Sequence, residues 1–239
     1  MRDTEGEDRV ESSAPVEAKN ALSLPNYRRL WINNLIYMFV GNAQRFAIGW
    51  LVLDGLGGNE TRQGMAVFMM GFPIALIVMQ AGALADRVDR RALLMRSQTG
   101  LLFVVLGTLI LLGLDQLTYS WVLALSVLSG VAQAFGQPVR QALIPLLVPE
   151  RLLMNAVALN ALAMTSSMIL SAPLVKIAGD LFDFEGVFGL QVVMLAVGLL
   201  TLRHLETPPV DEAPKRRLVQ EAASALRHVM SDLRLRVLF

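Results

Sequence analysis

The 239-residue chain is 54% hydrophobic and 17% charged, with no cysteine and a formal net charge of +1; its mean hydropathy is +0.52. That balance is too apolar for an ordinary soluble domain and describes a membrane protein. It excludes disulfide frameworks and thiolate metal sites, and basic residues spread along apolar segments, apart from aromatics, exclude a nucleic-acid interface.

A hydrocarbon core about 30 Å thick takes roughly 20 apolar residues per helix, so the length allows about six or seven spans with short connections. The chain opens on "MRDTEGEDRVESSAPVEAKN", which lacks the apolar core of a signal peptide. Residues 1–28 are expected to form a disordered cytoplasmic tail. Six helices are predicted at about 31–53, 64–85, 93–114, 121–145, 153–178 and 186–203, separated by the turn and charge signals "DGLGGNETR", "DRVDRR", "LDQLTYS", "LVPER" and "GDLFDFE". Spans this long, rich in helix formers, exclude a barrel of strands. The fold class expected is therefore an all-α membrane protein with a six-helix transmembrane unit over residues 29–205.

Basic residues set the orientation, because Lys and Arg in short loops stay on the cytoplasmic side. Arg28 and Arg29 precede the first span; Arg87, Arg90, Arg91 and Arg96 lie between the second and third; Arg140 and Arg151 flank the fourth gap; Arg203, Lys215, Arg216 and Arg217 follow the sixth. The alternate gaps hold only Arg62. Both termini are expected in the cytoplasm. Residues 206–239 read as a cytoplasmic linker, Pro-rich at "ETPPVDEAPKRR" and then amphipathic, with Val219, Ala222, Ala223, Leu226, Val229, Met230 and Leu233 on one side. The closing "LRLRVLF" reads as the start of another apolar run, so the chain is expected to be the N-terminal half of something longer.

Ionisable residues inside a span are costly, by about 2.5 to 3.5 kcal/mol for a central Arg on insertion scales. Arg45 sits in the first span on a stripe with Asn34, Met38, Gly41 and Gly49, flanked by Asn42 and Gln44, and marks a cavity-facing side; the alternative is an Arg that snorkels to the interface. The fourth span carries Ser126, Gly130, Gln133, Gln137 and Arg140 at steps of three or four. Close helix packing accounts for Ser126 and Gly130, and Gln133 is the better site candidate. Asn160, Met164, Ser167 and Ser171 share one side of the fifth span. The candidate substrate cavity is thus Asn34, Asn42, Arg45, Gln133 and Gln137.

The densest charge cluster is "GALADRVDRRALL" from Gly82, between the second and third spans. By itself it serves as a positive-inside anchor and a source of helix-end partners. It also resembles the signature of major facilitator superfamily transporters at the same location, with Gly82, Leu84, Asp86, Arg87, Arg90 and Arg91 on the motif's positions and Asp89 in place of the usual glycine. The segment from Gln137 to Asn160 is similar to the region around helices four and five of the enterobactin-exporter-like branch of drug and siderophore efflux proteins. The resemblance implies a transporter of two six-helix halves and a conformational gate at Gly82, Asp86, Arg87, Arg90, Arg91 and Arg140, with Asp86 latching the missing C-terminal half. Two departures weaken the match to the usual antiporter. "SAPLVKIAG" keeps Pro173 but places Lys176 where a small residue is expected, and Gly41–Asn42 stands where relatives often carry Gly-Asp.

The expected function is secondary active transport by alternating access, exporting a small amphipathic or anionic compound across the plasma (inner) membrane. The expected partners are a small-molecule substrate, the lipid bilayer and the missing half, without nucleic acid. No phosphate-binding loop, metal-spaced cluster or activated nucleophile is present, so neither an enzyme nor a cofactor is expected. A six-span homodimeric transporter and an inert truncated fragment are the alternatives.

Overall fold

The computed structural model describes residues 20–85 and 89–206, with 78–85 as backbone only. Asp86, Arg87, the tail up to residue 19 and the expected linker helix from residue 207 onward lie outside the described residues. Within them the chain is helical throughout: α1 (Pro25–Trp50), α2 (Glu60–Ala85), α3 (Arg90–Gly113), α4 (Tyr119–Leu147) and α5 (Glu150–Arg203). Four helical stretches are long and apolar enough to cross a membrane: α1 with the π turn that extends it to Gly55, α3, α4 and α5. Their outward faces carry large apolar side chains, Phe103, Met154, Ile169, Leu181 and Phe182 among them, as a hydrocarbon solvent demands.

Two boundaries differ from the sequence expectation. The first helix starts at Pro25, ahead of the predicted start, behind a 3₁₀ turn at Ala21–Ser23. Residues 20–28, assigned to the disordered tail, are therefore ordered. Proline suits the first helical position because its missing N–H would be unpaired there anyway. Tertiary contacts secure the segment: Ala21 N–H donates to Asn155 Oδ1 at 2.9 Å, and the Tyr27 hydroxyl donates to Ala156 O at 2.8 Å.

The second difference concerns the predicted gap at 179–185, which is helical apart from one residue. Asp183 (φ 57°, ψ −168°) breaks α5 into an N-terminal arm, 150–182, and a C-terminal arm, 184–203. The corner is tight, since a Cβ on Gly186 would lie 2.1 Å from Phe182 Cβ. The end of α1 fills the angle: Trp50 packs on Phe184 with ring centroids 4.7 Å apart, and a Cβ on Gly179 would lie 2.2 Å from Trp50 Cζ3. Aromatic packing from another helix thus replaces the loop that local residue types suggested.

α1 packs along α5, α2 along α4, and α3 against both α4 and α5. Gly130 lets α2 and α4 meet backbone to backbone, because a Cβ there would stand 2.2 Å from Met70 O, the close packing expected at that position. Two apolar clusters form the interior. One runs from Tyr37, Leu101 and Leu195 toward Val52, Leu117 and Val187. The other gathers Ala21, Tyr27, Leu30, Leu94, Leu143, Leu152 and Leu202.

Between the clusters lies a polar layer contributed by α1, α3, α4 and the C-terminal arm of α5. Arg140, 1% exposed, donates from Nη2 to Asn33 Oδ1 and Gln98 Oε1, both at 3.1 Å, and its guanidinium carbon lies 3.6 Å from the Tyr37 ring centroid. Asn33 Nδ2 donates to Gln98 Oε1 at 2.9 Å and to Gly198 O at 2.8 Å. Gln98 Nε2 donates to Leu195 O at 3.0 Å, and Ser97 Oγ to Ala132 O at 2.7 Å. Two glycines make the room. A Cβ on Gly136 would approach Tyr37 Oη to 2.5 Å and Arg140 Nη1 to 2.7 Å, and one on Gly198 would approach Gln98 Nε2 to 2.3 Å.

The start of α3 explains the aspartate that stands in place of glycine. Asp89 is the N-cap, its Oδ1 accepting the Arg91 N–H at 2.9 Å and the Ala92 N–H at 3.3 Å, which satisfies two of the amides every helix start leaves unpaired. The Arg91 side chain then crosses to the end of α5, donating from Nε to Leu202 O at 3.2 Å and from Nη2 to Arg203 O. Arg29 caps the same end, its Nη1 donating to His204 O at 2.7 Å. A cation on the last carbonyls of a helix also meets the negative end of its dipole.

Two stability predictions follow from this packing, both read as thermal unfolding in detergent micelles. Asp89→Ala lowers stability by about 1 kcal/mol, whereas Asp89→Gly loses only a few tenths, on the order of 0.3 kcal/mol, because glycine is itself a tolerable N-cap; equal losses would remove the cap from the explanation. Gly136→Ala overpacks the polar layer and costs about 3 kcal/mol. The matched change Gly189→Ala, at a position where a Cβ meets nothing within 4 Å, leaves stability unchanged or slightly higher.

Candidate functional site

The stripes of α1 and α4 are read at helical spacing, and packing turns part of both toward one cavity of about 240 Å³. α1 contributes Tyr37, Met38, Gly41, Asn42 and Arg45; α4 contributes Gln133 and Gln137; Ile74 of α2 and Met164 of α5 complete the lining. Asn42, Arg45, Gln133 and Gln137 are therefore brought together. Gly41 lets the two helices close on one another here, since a Cβ on it would lie 3.0 Å from Gln133 Oε1.

Asn34 belongs elsewhere. It is 3% exposed, donates from Nδ2 to Asn160 Oδ1, and lines a separate, water-sized space of about 10 Å³ with Tyr27, Trp31, Arg140 and Asn160. The reason is axial, since residues seven apart share one face of a helix but lie two turns apart along it. Asn34 lies two turns below Gly41, where α1 meets the N-terminal arm of α5, and the Tyr37 ring and the Arg140 guanidinium occupy the intervening level.

The electrostatics of the cavity are one-sided. Arg45 is exposed at its mouth, and no carboxylate is among the described residues that line it. The amides opposite are unfilled: Gln133 Nε2 and Gln137 Oε1 are buried with no hydrogen-bond partner. A guanidinium, a free amide donor and a free amide acceptor therefore share a wall with two methionines, an isoleucine and a tyrosine. Such a site suits a molecule with an apolar body and a few polar groups, one of them negative.

Of the expected gate residues, Gly82 lies on the backbone of α2, three residues before its end. Arg91 is committed to the end of α5, and Arg140 sits inside the polar layer, its described hydrogen bonds going to amides. Asp86 and Arg87 fall outside the described residues, and Arg90 opens α3 beside the Asp89 cap. No group of three or more acidic, histidine or cysteine side chains able to hold a metal occurs among the described residues.

Tyr37 is the residue the sequence reading passed over. It lines the cavity and also lies under the Arg140 guanidinium. Its spacing carries a signal: four residues after Asn33 and four before Gly41, it occupies the same helical stripe. Gln98, an amide in the polar run Arg96–Thr99 near the start of α3, carries no such distinguishing signal.

Against known proteins, no curated individual protein matches the chain. The Major Facilitator Superfamily model matches residues 30–239, which spans all five helices, the cavity and the charge cluster. Taken with apolar helices that suit a bilayer and a cavity sized for a small molecule, that match means the chain belongs to the Major Facilitator Superfamily, a family of membrane transporters of small molecules.

Proposed function

We propose that this chain forms one half of a secondary transporter that exports a small anionic or amphipathic compound by alternating access. Its helices supply six spans, the two arms of α5 acting as the fifth and sixth, and both termini lie in the cytoplasm of a plasma (inner) membrane. The substrate sits in the 240 Å³ cavity with its negative group at Arg45 and its polar substituents at Gln133 and Gln137. One observation carries this reading: a cavity with a cation at its mouth, unpartnered amides in its wall and no carboxylate among its described lining residues. Export, rather than uptake, rests on the similarity of Gln137–Asn160 to efflux proteins.

In this reading, the charge cluster from Gly82 to Arg91 acts as the cytoplasmic gate. Support comes from Arg91, which ties the start of α3 to the end of α5 and so anchors the end of the cluster that enters α3. A second six-helix bundle closes the open side of the cavity and receives Asp86. Making and breaking that contact biases one of two states.

Transport into inside-out vesicles tests both parts. With small aromatic carboxylates and their methyl esters as a matched panel, Arg45→Ala raises the KM of the acids about tenfold, the worth of one charge-assisted hydrogen bond, and leaves the esters unchanged. Equal losses for acids and esters would show that Arg45 recognises no charge. Asp86→Asn slows turnover at least tenfold with normal membrane insertion and normal KM; wild-type turnover in this variant would remove the gate.

A further inference from the structure

A second cavity, sharing no lining residue with the one at Arg45, opens between α1 and the two arms of α5. It measures about 510 Å³ and is walled by Leu35, Phe39, Leu170, Leu174, Ile177 and Leu181 among others. Its described lining residues carry no charge. Ser167, one of its two serines, is turned back on its own helix, its hydroxyl donating to Ala163 O at 2.6 Å. The wall follows the N-terminal arm from Ser166 to Phe182, which at 1.5 Å per residue is about 24 Å of helix.

Against the middle of this groove lies a small side cavity of about 10 Å³, the space of one water-sized group. The two share Phe39, Leu174, Ala178, Leu190 and Met194 as a common wall, and Met194 is a flexible side chain that yields readily. The side cavity contains Gln191. That amide is 2% exposed, and neither its Nε2 nor its Oε1 has a hydrogen-bond partner. An amide left wholly unpaired in an apolar interior is costly, and buried polar groups without partners are rare enough in folded proteins to call for an explanation.

We infer that the groove binds a neutral, mostly hydrocarbon amphiphile drawn from the bilayer, whose single small polar group, a hydroxyl, pairs with the Gln191 amide. The chemistry follows from the lining. Hydrocarbon walls take a hydrocarbon body. The Gln191 amide presents an NH2 donor group and a carbonyl acceptor side by side, and a single hydroxyl can accept from the first and donate to the second. A carboxylate or phosphate does not fit, because no cation is among the described residues lining either space and the nearby Lys176 is committed to Asp180 and to the Trp50 ring, 4.8 Å from its centroid. Plain annular lipid would need no amide at all.

The test uses the protein in lipid nanodiscs and two photoprobes, a diazirine-bearing long-chain alcohol and the matching alkane without the hydroxyl, with labelled residues mapped by mass spectrometry. The alcohol should label residues 170–182 and 190–194 about fivefold more than the alkane, the worth of one net hydrogen bond. Gln191→Leu should bring the alcohol down to the alkane level. Equal labelling of the wild-type protein by both probes would mean annular hydrocarbon contact only and would overturn the proposal without any variant. Unchanged alcohol labelling in Gln191→Leu would overturn it as well.

Discussion

A guanidinium with no carboxylate partner among the described residues, enclosed by four helical segments, sets the terms for the rest of this molecule. Transferring such a charge out of water costs several kcal/mol even after relaxation, and Arg140 is 1% exposed. What offsets that cost is spread over the chain: the amide oxygens of Asn33 and Gln98 and the face of Tyr37, with the two amides held in turn by the carbonyls of Gly198 and Leu195. Because the amide acceptors come from α1 and α3, and their own acceptors from the C-terminal arm of α5, displacing any one of these elements leaves a buried charge or amide unpaired. Arg140 Nε and Nη1 have no hydrogen-bond partner, so it is the links made across these elements, not full satisfaction, that tie the set together. Arg140 is thus a structural fixture first, and the glycines at 136 and 198 are the space it needs.

Rigidity matters for a transporter, since alternating access moves whole bundles against each other rather than deforming one. α2 and the N-terminal arm of α5 are attached to this fixed set by different means. α2 meets α4 at Gly130, and the N-terminal arm is tied to α1 by the Tyr27 hydroxyl, the Trp31 indole and the Asn34–Asn160 pair. Tyr37 joins the two levels, one side under Arg140 and the other on the cavity. On the reading proposed above, a substrate at Arg45 rests against a side chain that the buried charge holds in place. Binding energy is then applied to a rigid wall, which is how a ligand biases a rigid-body equilibrium instead of being absorbed by local side-chain motion.

What the sequence disclosed and what it hid divide along the same physical line. Helix periodicity is a property of one segment, so the stripes carrying Asn42 and Arg45 on α1 and Gln133 and Gln137 on α4 were legible residue by residue. That the stripes face each other was an expectation, and packing supplies the answer. Asn34 lines a different space from Arg45 because the stripe from Asn34 to Gly49 spans more than one level of the bundle, and Tyr37 and Arg140, which only the tertiary structure brings together, lie between the two. The break between the fifth and sixth predicted helices was visible, but its size was not: the acidic and aromatic residues of 179–185 look like a loop, yet Trp50 and Phe184 pack the corner so closely that a single residue, Asp183, turns the chain. The start of α1 was set too late for a similar reason, since the order of residues 20–28 comes from Asn155 and Ala156, more than a hundred residues away. The aspartate at 89 looked like a departure from a motif and is a helix cap.

Several polar residues of this bundle differ in how they are satisfied. Asn33, Gln98 and Ser97 have their hydrogen bonds supplied from within, and they sit between the two apolar clusters, where an unfilled amide would serve nothing. Gln133 and Gln137 on the 240 Å³ cavity and Gln191 beside the apolar groove each keep buried atoms without partners, and each lines a space. Composition cannot separate these classes, because all are amides or hydroxyls within apolar spans. Pairing can. A residue kept for stability is expected to have its hydrogen bonds closed in the folded chain, and one kept for a ligand is expected to leave them open toward a cavity at a cost the ligand repays on binding. Judged by pairing and cavity together, Asn33, Gln98 and Ser97 belong to the polar layer that ties α1, α3, α4 and the C-terminal arm of α5 to one another, while Gln133, Gln137 and Gln191 are among the amides left open beside a space.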